Sequence, residues 1–207
     1  MDQRKSKIGT TLEDLYKCDD KSGTTNLQPH QYIKLRIQSD PSNISDIIEL
    51  PEKYNAMDWI YEQLRQICIE LTNLLVMLQE ECSSQTCPVM KINDWLYLCA
   101  SHPIPKECSA LDYVVHTVDQ AVSTLISSKI FPKRSGLDPN VKPHLENISR
   151  RILRIFGHAW SNHREIFVQF ESQYFLYERL FELNKKYGIE QGQEVIPPGY
   201  KELMYGE

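Results

Sequence analysis

Through most of this chain the apolar residues recur at intervals of three and four, the spacing of helices that bury one face. The clearest stretch opens at Asn55, a capping residue, with Asp58 at the third helical position. From there Trp59, Ile60, Ile67, Cys68, Leu71, Leu74, Leu75 and Leu78 fall at helical spacing, with Asp58, Glu62 and Glu70 off the stripe. This pattern predicts a core helix. Ser109 with Asp112 predicts the start of another, whose Val115, Val118, Val122, Leu125 and Ile126 repeat at three and four. A long helix is expected over about 144–171 and a last one over about 173–187, stopped by Gly188. A shorter helix over 30–40, closed by Pro41, precedes them, and Leu50-Pro51 ends a linker. Residues 95–99, short, apolar and aromatic, are the best strand candidate but have no evident pairing partner. Residues 131–143, rich in Pro, Gly and Asp, read as a loop. The expected class is all-α in the main, with a short β element.

Residues 1–28 are polar and read as a flexible arm with at most a helical turn around Leu12 to Tyr16. Residues 29–192 read as one helical domain and 193–207 as a flexible tail. A chain of 207 residues can build one core, which removes roughly 70% of the unfolded surface from water. An apolar fraction of 41% and a net charge of −5 suit a soluble globular protein and argue against one that coats nucleic acid or an anionic membrane. The basic opening is followed by no apolar run, so it does not read as a signal peptide, and no apolar run is long enough to span a bilayer. Six cysteines without regular spacing fit reduced thiols in the cytoplasm better than a disulfide framework.

Two short pairs bring in chemistry. Cys82 and Cys87 have four residues between them and directly follow the long apolar helix, and His158 and His163 have the same spacing in a helical stretch. Thiolates and imidazoles paired in this way, on two distant segments, suit a tetrahedral zinc ion. Four protein ligands leave no position for water, so the expected zinc is structural, one per chain. The alternative is ordinary buried cysteines and hydrogen-bonded histidines. With 100° per residue, Ile152, Ile155, Phe156, Ala159, Trp160, Ile166, Phe167 and Phe170 span an apolar arc of roughly 140° with His163 at its middle. On that wheel His158 falls on the opposing side with the arginines, roughly 140° from His163. Joint ligation therefore needs either a helix distorted near residues 160–162 or a His158 that reaches around its edge. Cys99, His102, Cys108 and His116 could form a second cluster, but are read here as ordinary structural residues.

Arg150, Arg151 and Arg154 share one outer side of the same predicted helix, with Glu146 the nearest acid. Guanidinium groups make paired hydrogen bonds to phosphate, and a phosphoserine or phosphothreonine is the natural complement. From spacing alone a solvated charged face remains the simpler reading.

From residue 50 to 187 the chain resembles the Mob family of kinase and phosphatase adaptors. The resemblance rests on Leu50-Pro51-Glu52, Trp59, the segment from Cys82 through Cys87-Pro88-Val89-Met90, and Arg150-Arg151-Ile152-Leu153-Arg154-Ile155-Phe156 leading into His158 and His163. Within the family it is most similar to the phocein branch, through Cys99-Ala100-Ser101-His102 and Pro105-Lys106-Glu107-Cys108-Ser109-Ala110-Leu111-Asp112-Tyr113. The resemblance implies a fold around a four-helix bundle, structural zinc on Cys82, Cys87, His158 and His163, no catalysis, and a phosphopeptide pocket on Arg150, Arg151 and Arg154. It further implies a cytoplasmic place, peripheral at internal membranes, and partners in a germinal-centre-type Ser/Thr kinase, a striatin-type scaffold and protein phosphatase 2A. In one respect the chain departs from its family: Mobs that activate nuclear Dbf2-related kinases carry several acids before the Trp, where here Lys53-Tyr54 intervenes and Asp58 alone matches.

Two other classes compete. A zinc-dependent hydrolase needs an open metal position and a base; Glu165 is the only acid close to the histidines in sequence, and no H-E-x-x-H pattern occurs. A zinc-stabilised nucleic-acid binder suits the three arginines but not the acidic whole.

Overall fold

The computed structural model describes residues 27–189 and 195–205. The expected turn around Leu12 to Tyr16, and all but the last two residues of the amino-terminal arm, lie outside the described residues. Pro29 opens α1 (Pro29–Ser39) at a position where its missing N–H leaves no bond unmade. The stretch after it is more than a linker. Asn43 caps a short α2 (Ile44–Ile48), whose Ile44, Ile47 and Ile48 are buried. Trp59 Nε1 donates to the Ile48 carbonyl at 3.0 Å and Gln63 Nε2 to that of Ile47 at 2.6 Å, which ties this piece to the central helix.

That helix, α3 (Ala56–Leu78), starts as expected, with the Asn55 side chain accepting from the N–H groups of Met57 and Asp58. It packs against α1 and four later helices, so its wide apolar face is surrounded. Asp58, off the stripe, is nonetheless buried: its carboxylate accepts from Gly136 N at 2.7 Å and Leu137 N at 2.8 Å, and so holds the loop that the 131–143 composition predicts.

Next come two short strands, β1 (Lys91–Ile92) and β2 (Trp95–Leu96), paired antiparallel with Ile92 opposite Trp95. The strand expected over 95–99 is thus only two residues long, and its partner lies immediately before it. Asn93 takes the left-handed conformation (φ 51°) that such a tight turn needs. Ser109 caps α4 (Ala110–Leu125) by accepting from Asp112 N, as expected. The valine stripe is a correction. Tyr113, Val114, Thr117, Ala121 and Leu125 face the core, whereas Val115, Val122 and Ile126 are 42%, 41% and 64% exposed. Two rows at three-and-four spacing run along this helix, and the one with tyrosine, threonine and alanine is the one that fits against α3 and the next long helix.

A single turn of 3-10 helix (Pro139–Val141), capped by Asp138, leads into α5 (Lys142–Asn162). The one long helix expected over 144–171 is two. α5 ends at Asn162, His163 leaves helical geometry (φ −137°, ψ 56°), and α6 (Arg164–Tyr174) follows. The Arg164 guanidinium braces the break, 3.4 Å over the Trp160 ring, with Nε donating to the Trp160 carbonyl at 2.8 Å. Phe175, also left-handed, separates α6 from α7 (Leu176–Tyr187). Glu171 caps that helix, accepting from Tyr177 N and Glu178 N at 2.9 Å each. Burial pushes its carboxyl up to about 7, against the pull of those two N–H groups. The fully buried Arg179 pairs with Glu70 at 2.7 Å and so links α7 to α3.

The stretch read as a flexible tail also differs from expectation where it is described. Ile196 is buried, and α8 (Tyr200–Tyr205) brings the Tyr200 ring against Trp160, Phe167 and Tyr177. The whole is a helical bundle of α3, α4, α5 and α7 with α6 against α3 and α5, and a small hairpin on α5.

Candidate metal centre and arginine face

Cys82 lies just past the end of α3, held by its N–H to the Leu78 carbonyl at 2.8 Å, and Cys87 closes the following loop with its N–H to Ser83 O at 2.8 Å. His158 sits in the last full turn of α5 and His163 at the break. One ligand atom from each of the four lies within 4.8 Å of all the others. Cys82 Sγ is 3.6 Å from His158 Nε2, and Cys87 Sγ is 3.3 Å from His163 Nε2. With zinc–sulfur and zinc–nitrogen bonds of about 2.3 and 2.05 Å, a tetrahedral ion sets its S···N edges at about 3.6 Å. The quartet therefore fits such an ion. The break at His163 is what makes this possible: it removes the roughly 140° that an unbroken helix would put between the two rings.

The outer nitrogens are also engaged as a metal ligand requires. His158 Nδ1 donates to the Lys91 carbonyl at 2.8 Å, and His163 Nδ1 faces Glu81 Oε2 at 3.5 Å, which leaves both Nε2 atoms for the centre. The wheel's placement of His158 on the outer side is corrected here. It is 1% exposed, because the hairpin covers that side of α5. Gly157 permits this cover: a Cβ there would meet Ile92 Cδ1 at 2.8 Å and Val195 Cβ at 2.9 Å. Burial, with Cys87 beside it, pushes the Cys82 thiol up to about 12. Burial, with His163 nearby, also lowers His158, against the Lys91 hydrogen bond, and so favours the neutral ring that can ligate. A cation at the centre is what would turn the thiols into thiolates.

Arg151 and Arg154 lie on the side of α5 that turns toward α4 and the segment just after the hairpin. Arg151 Nη1 donates to Gln120 Oε1, and Gln120 also accepts from Ser101 Oγ at 3.1 Å. Arg154 Nη1 donates to the Tyr113 hydroxyl at 3.2 Å, and its guanidinium lies 4.9 Å from the centre of the Tyr97 ring. Arg150 is exposed. Glu146, the acid nearest in sequence, stands 3.8 Å from Lys142 Nζ instead. Sequence reasoning missed Gln120, Tyr113 and Tyr97; a polar residue about two turns from a buried tyrosine on the facing helix was the trace of the first two.

Cys99, His102, Cys108 and His116, a possible second cluster that the sequence favours reading as ordinary structural residues, are also gathered: one ligand atom from each lies within 4.8 Å of the others.

The helical bundle thus carries a Cys–Cys–His–His group that could hold a metal ion at the ends of two core helices, beside two arginines held by neutral partners. Residues 15–198 match the Mob1/phocein family, and the chain belongs to it. It is 40% identical to "MOB kinase activator-like 4" of Drosophila melanogaster, over 94% of this chain and 89% of that one. It is 39% identical to "MOB-like protein phocein" of Caenorhabditis elegans, over 83% and 78%. The "Maintenance of ploidy protein mob1" of Schizosaccharomyces pombe matches at 23% over 85% and 87%. Members of this family are named as kinase activators or phocein-like adaptors, and the chain is a non-catalytic member of it. Among the described residues no helix is long and apolar enough to cross a membrane.

Proposed function

We propose that this protein is a cytoplasmic, zinc-stabilised adaptor that binds a phosphorylated segment of a germinal-centre-type Ser/Thr kinase on Arg150, Arg151 and Arg154. Through that contact it joins the kinase to a striatin-type scaffold and protein phosphatase 2A, at the surface of internal membranes. Cys82, Cys87, His158 and His163 hold one structural zinc that fixes the carboxyl ends of α3 and α5. The observation that carries the reading is the way Arg151 and Arg154 are held. Their contacts among the described residues are an amide, a hydroxyl and an aromatic ring. Such neutral partners orient a guanidinium without neutralising it, so its charge is kept for a phosphate. The name of the Drosophila melanogaster relative, a kinase activator-like protein, supports a kinase as the partner. Asp58 weakens the case for nuclear Dbf2-related kinases as partners, because the one acid that matches their activators' pattern is engaged in holding the Gly136–Leu137 loop.

Calorimetry of the wild-type chain against phosphothreonine peptides and their unphosphorylated twins tests this. Each charge-assisted hydrogen bond contributes roughly 1.5–3 kcal/mol, so losing one arginine should weaken binding about ten- to a hundredfold. Equal affinity for both peptides, or a triple alanine variant that binds as wild type does, would refute it.

A further inference from the structure

The row of valines that the sequence marks on α4 lies largely outside the core and lines a surface of its own. α3 and α4 run antiparallel, since Tyr61 near the start of α3 donates its hydroxyl to the Leu125 carbonyl at the end of α4, at 2.8 Å. Between them lies an open groove of about 370 Å³, with Arg65, Ile69 and Thr72 on one wall and Val118, Val122 and Ile126 on the other. Ile69 and Val76 are 51% and 63% exposed, as open to water as the α4 residues that face them. Thr72 turns its hydroxyl back to the Ile69 carbonyl at 2.6 Å, so it adds no unmet polar group to this apolar face.

The two ends of the face differ in charge. Arg65 and Arg134 both act on the Tyr61 phenol, and Lys129 follows just past the end of α4. Glu62 pairs with Arg65 at 3.0 Å and leaves that end positive on balance. At the other end Glu80 continues the row of Ile69 and Val76, and Asp112 stands in the first turn of α4, both exposed. Arg65 and Glu80 are about 22 Å apart along the helix, with Thr72 midway.

We infer that two copies of this chain meet on this face, α3 and α4 of one protomer against the same pair of its partner. A two-fold axis across the helices, level with Thr72, reverses the partner's direction, so the basic end of each copy meets the acidic end of the other. An axis along the helices would set like ends together, and the charges thus select the first arrangement. A footprint of roughly 22 by 20 Å, two helix widths, stands at the lower end of specific interfaces and gives a weak dimer, with a Kd of about 10–100 µM. Gln120 and Tyr113, which hold Arg151 and Arg154, fall roughly 160–180° around α4 from Val122, so the dimer leaves both arginine faces open. The inference uses neither the metal centre nor what the arginines bind.

Sedimentation velocity of the full chain between about 1 and 300 µM tests this. Wild type is expected to pass from monomer to dimer over that range. Raising NaCl from about 0.05 to 0.5 M should weaken the association about three- to tenfold, and Glu80→Lys should do the same at low salt. Ile69→Lys and Val122→Glu, both at exposed positions, should weaken it at least about thirtyfold while circular dichroism and melting stay as in wild type. Ile104→Glu, at a residue 80% exposed outside this face, should change nothing. Should an apolar variant melt early, the salt series and Glu80→Lys decide alone, since neither disturbs packing. A wild type that stays monomeric throughout, or a dimer that survives both apolar substitutions, would overturn the inference and leave the face to a helix of another protein. Association lost equally with Ile104→Glu would be non-specific and would overturn it too.

Discussion

The two Cys–Cys–His–His quartets use one donor set in two architectures. In the first, each sulfur meets an imidazole 76 positions away in sequence, at the ends of two core helices, with Cys82 0% and His158 1% exposed. In the second, Cys99 and His116 are 17 positions apart, and both histidines are half-buried on the surface. Closing the longer loop costs the unfolded chain about 1 kcal/mol more, since closure entropy grows only with the logarithm of length. The larger difference lies in what each quartet ties together. The first joins elements that carry the core, so an ion there would hold α3 to α5. The second ties one loop to the start of α4, and the core beneath has its own apolar contacts. Identical ligands therefore do not imply equal importance to folding; sequence separation and burial set it.

The strongest way to break this comparison is to remove one ligand from the first quartet. A structural zinc contributes ~10 kcal/mol or more of apparent binding free energy, comparable with a domain's whole net stability of roughly 5–15 kcal/mol. Cys82→Ser or His163→Ala should thus give insoluble or molten protein by circular dichroism and dye binding. A sharp, cooperative melt for either variant would remove the distinction.

Acid titration sharpens the comparison only once Glu171 is taken into account. Its folded pKa of about 7 lies above the ordinary value near 4.5, so between those values the folded state holds a proton that the unfolded state has released. Its contribution is fully present below about pH 4.5 and is lost as pH rises through about 7, a change of up to about 3 kcal/mol. Zinc ligation has the opposite sense, because protons compete for thiolates and imidazoles as pH falls. Glu171→Gln should remove the loss of stability between pH 5 and 7 in denaturant titrations and leave the acid loss of metal unchanged.

Smaller still is the effect of losing the second quartet on the whole fold. His102→Ala should speed amide exchange over residues 97–116, with α3 and α5 as protected as before. Loss of protection throughout α3 would mean that both quartets hold the core. The arginine face should show the least change in stability. Arg151→Ala should fall within about ±0.5 kcal/mol of wild type by chemical denaturation. Gln120→Ala, which removes a neutral hydrogen bond that orients Arg151, should weaken phosphopeptide binding about two- to tenfold.

The helical class, the Asn55 and Ser109 caps and the Gly188 stop were legible in sequence because each depends on near neighbours alone. The ligand residues of the first quartet were legible too, since cysteine and histidine pairs at short spacing have few other uses. What was hidden depends on partners distant along the chain. The burial of His158 needs a hairpin that begins at Lys91, and the choice between the two rows of α4 needs the shape of α3 and α5. The break at His163 is not marked by any proline or glycine at that position; only the need to turn two rings to one point foretold it. The second quartet was visible only as a possibility, because Cys99 and Cys108 look like ordinary buried thiols until the Cys99–Lys106 bridge folds the loop back.

The 76-residue gap between sulfur and imidazole also has a meaning in time. A ribosome adds about 5–20 residues per second, so Cys82 and Cys87 emerge roughly 4–15 s before the histidines that complete their shell. During that interval the nascent chain presents a bare dithiol, open to oxidation or to a borrowed metal. The second quartet completes itself within about 1–3 s of synthesis, over its 17 residues. A zinc ion at the first quartet would therefore have to wait on the far half of the chain, and the dithiol is most open to oxidation during synthesis.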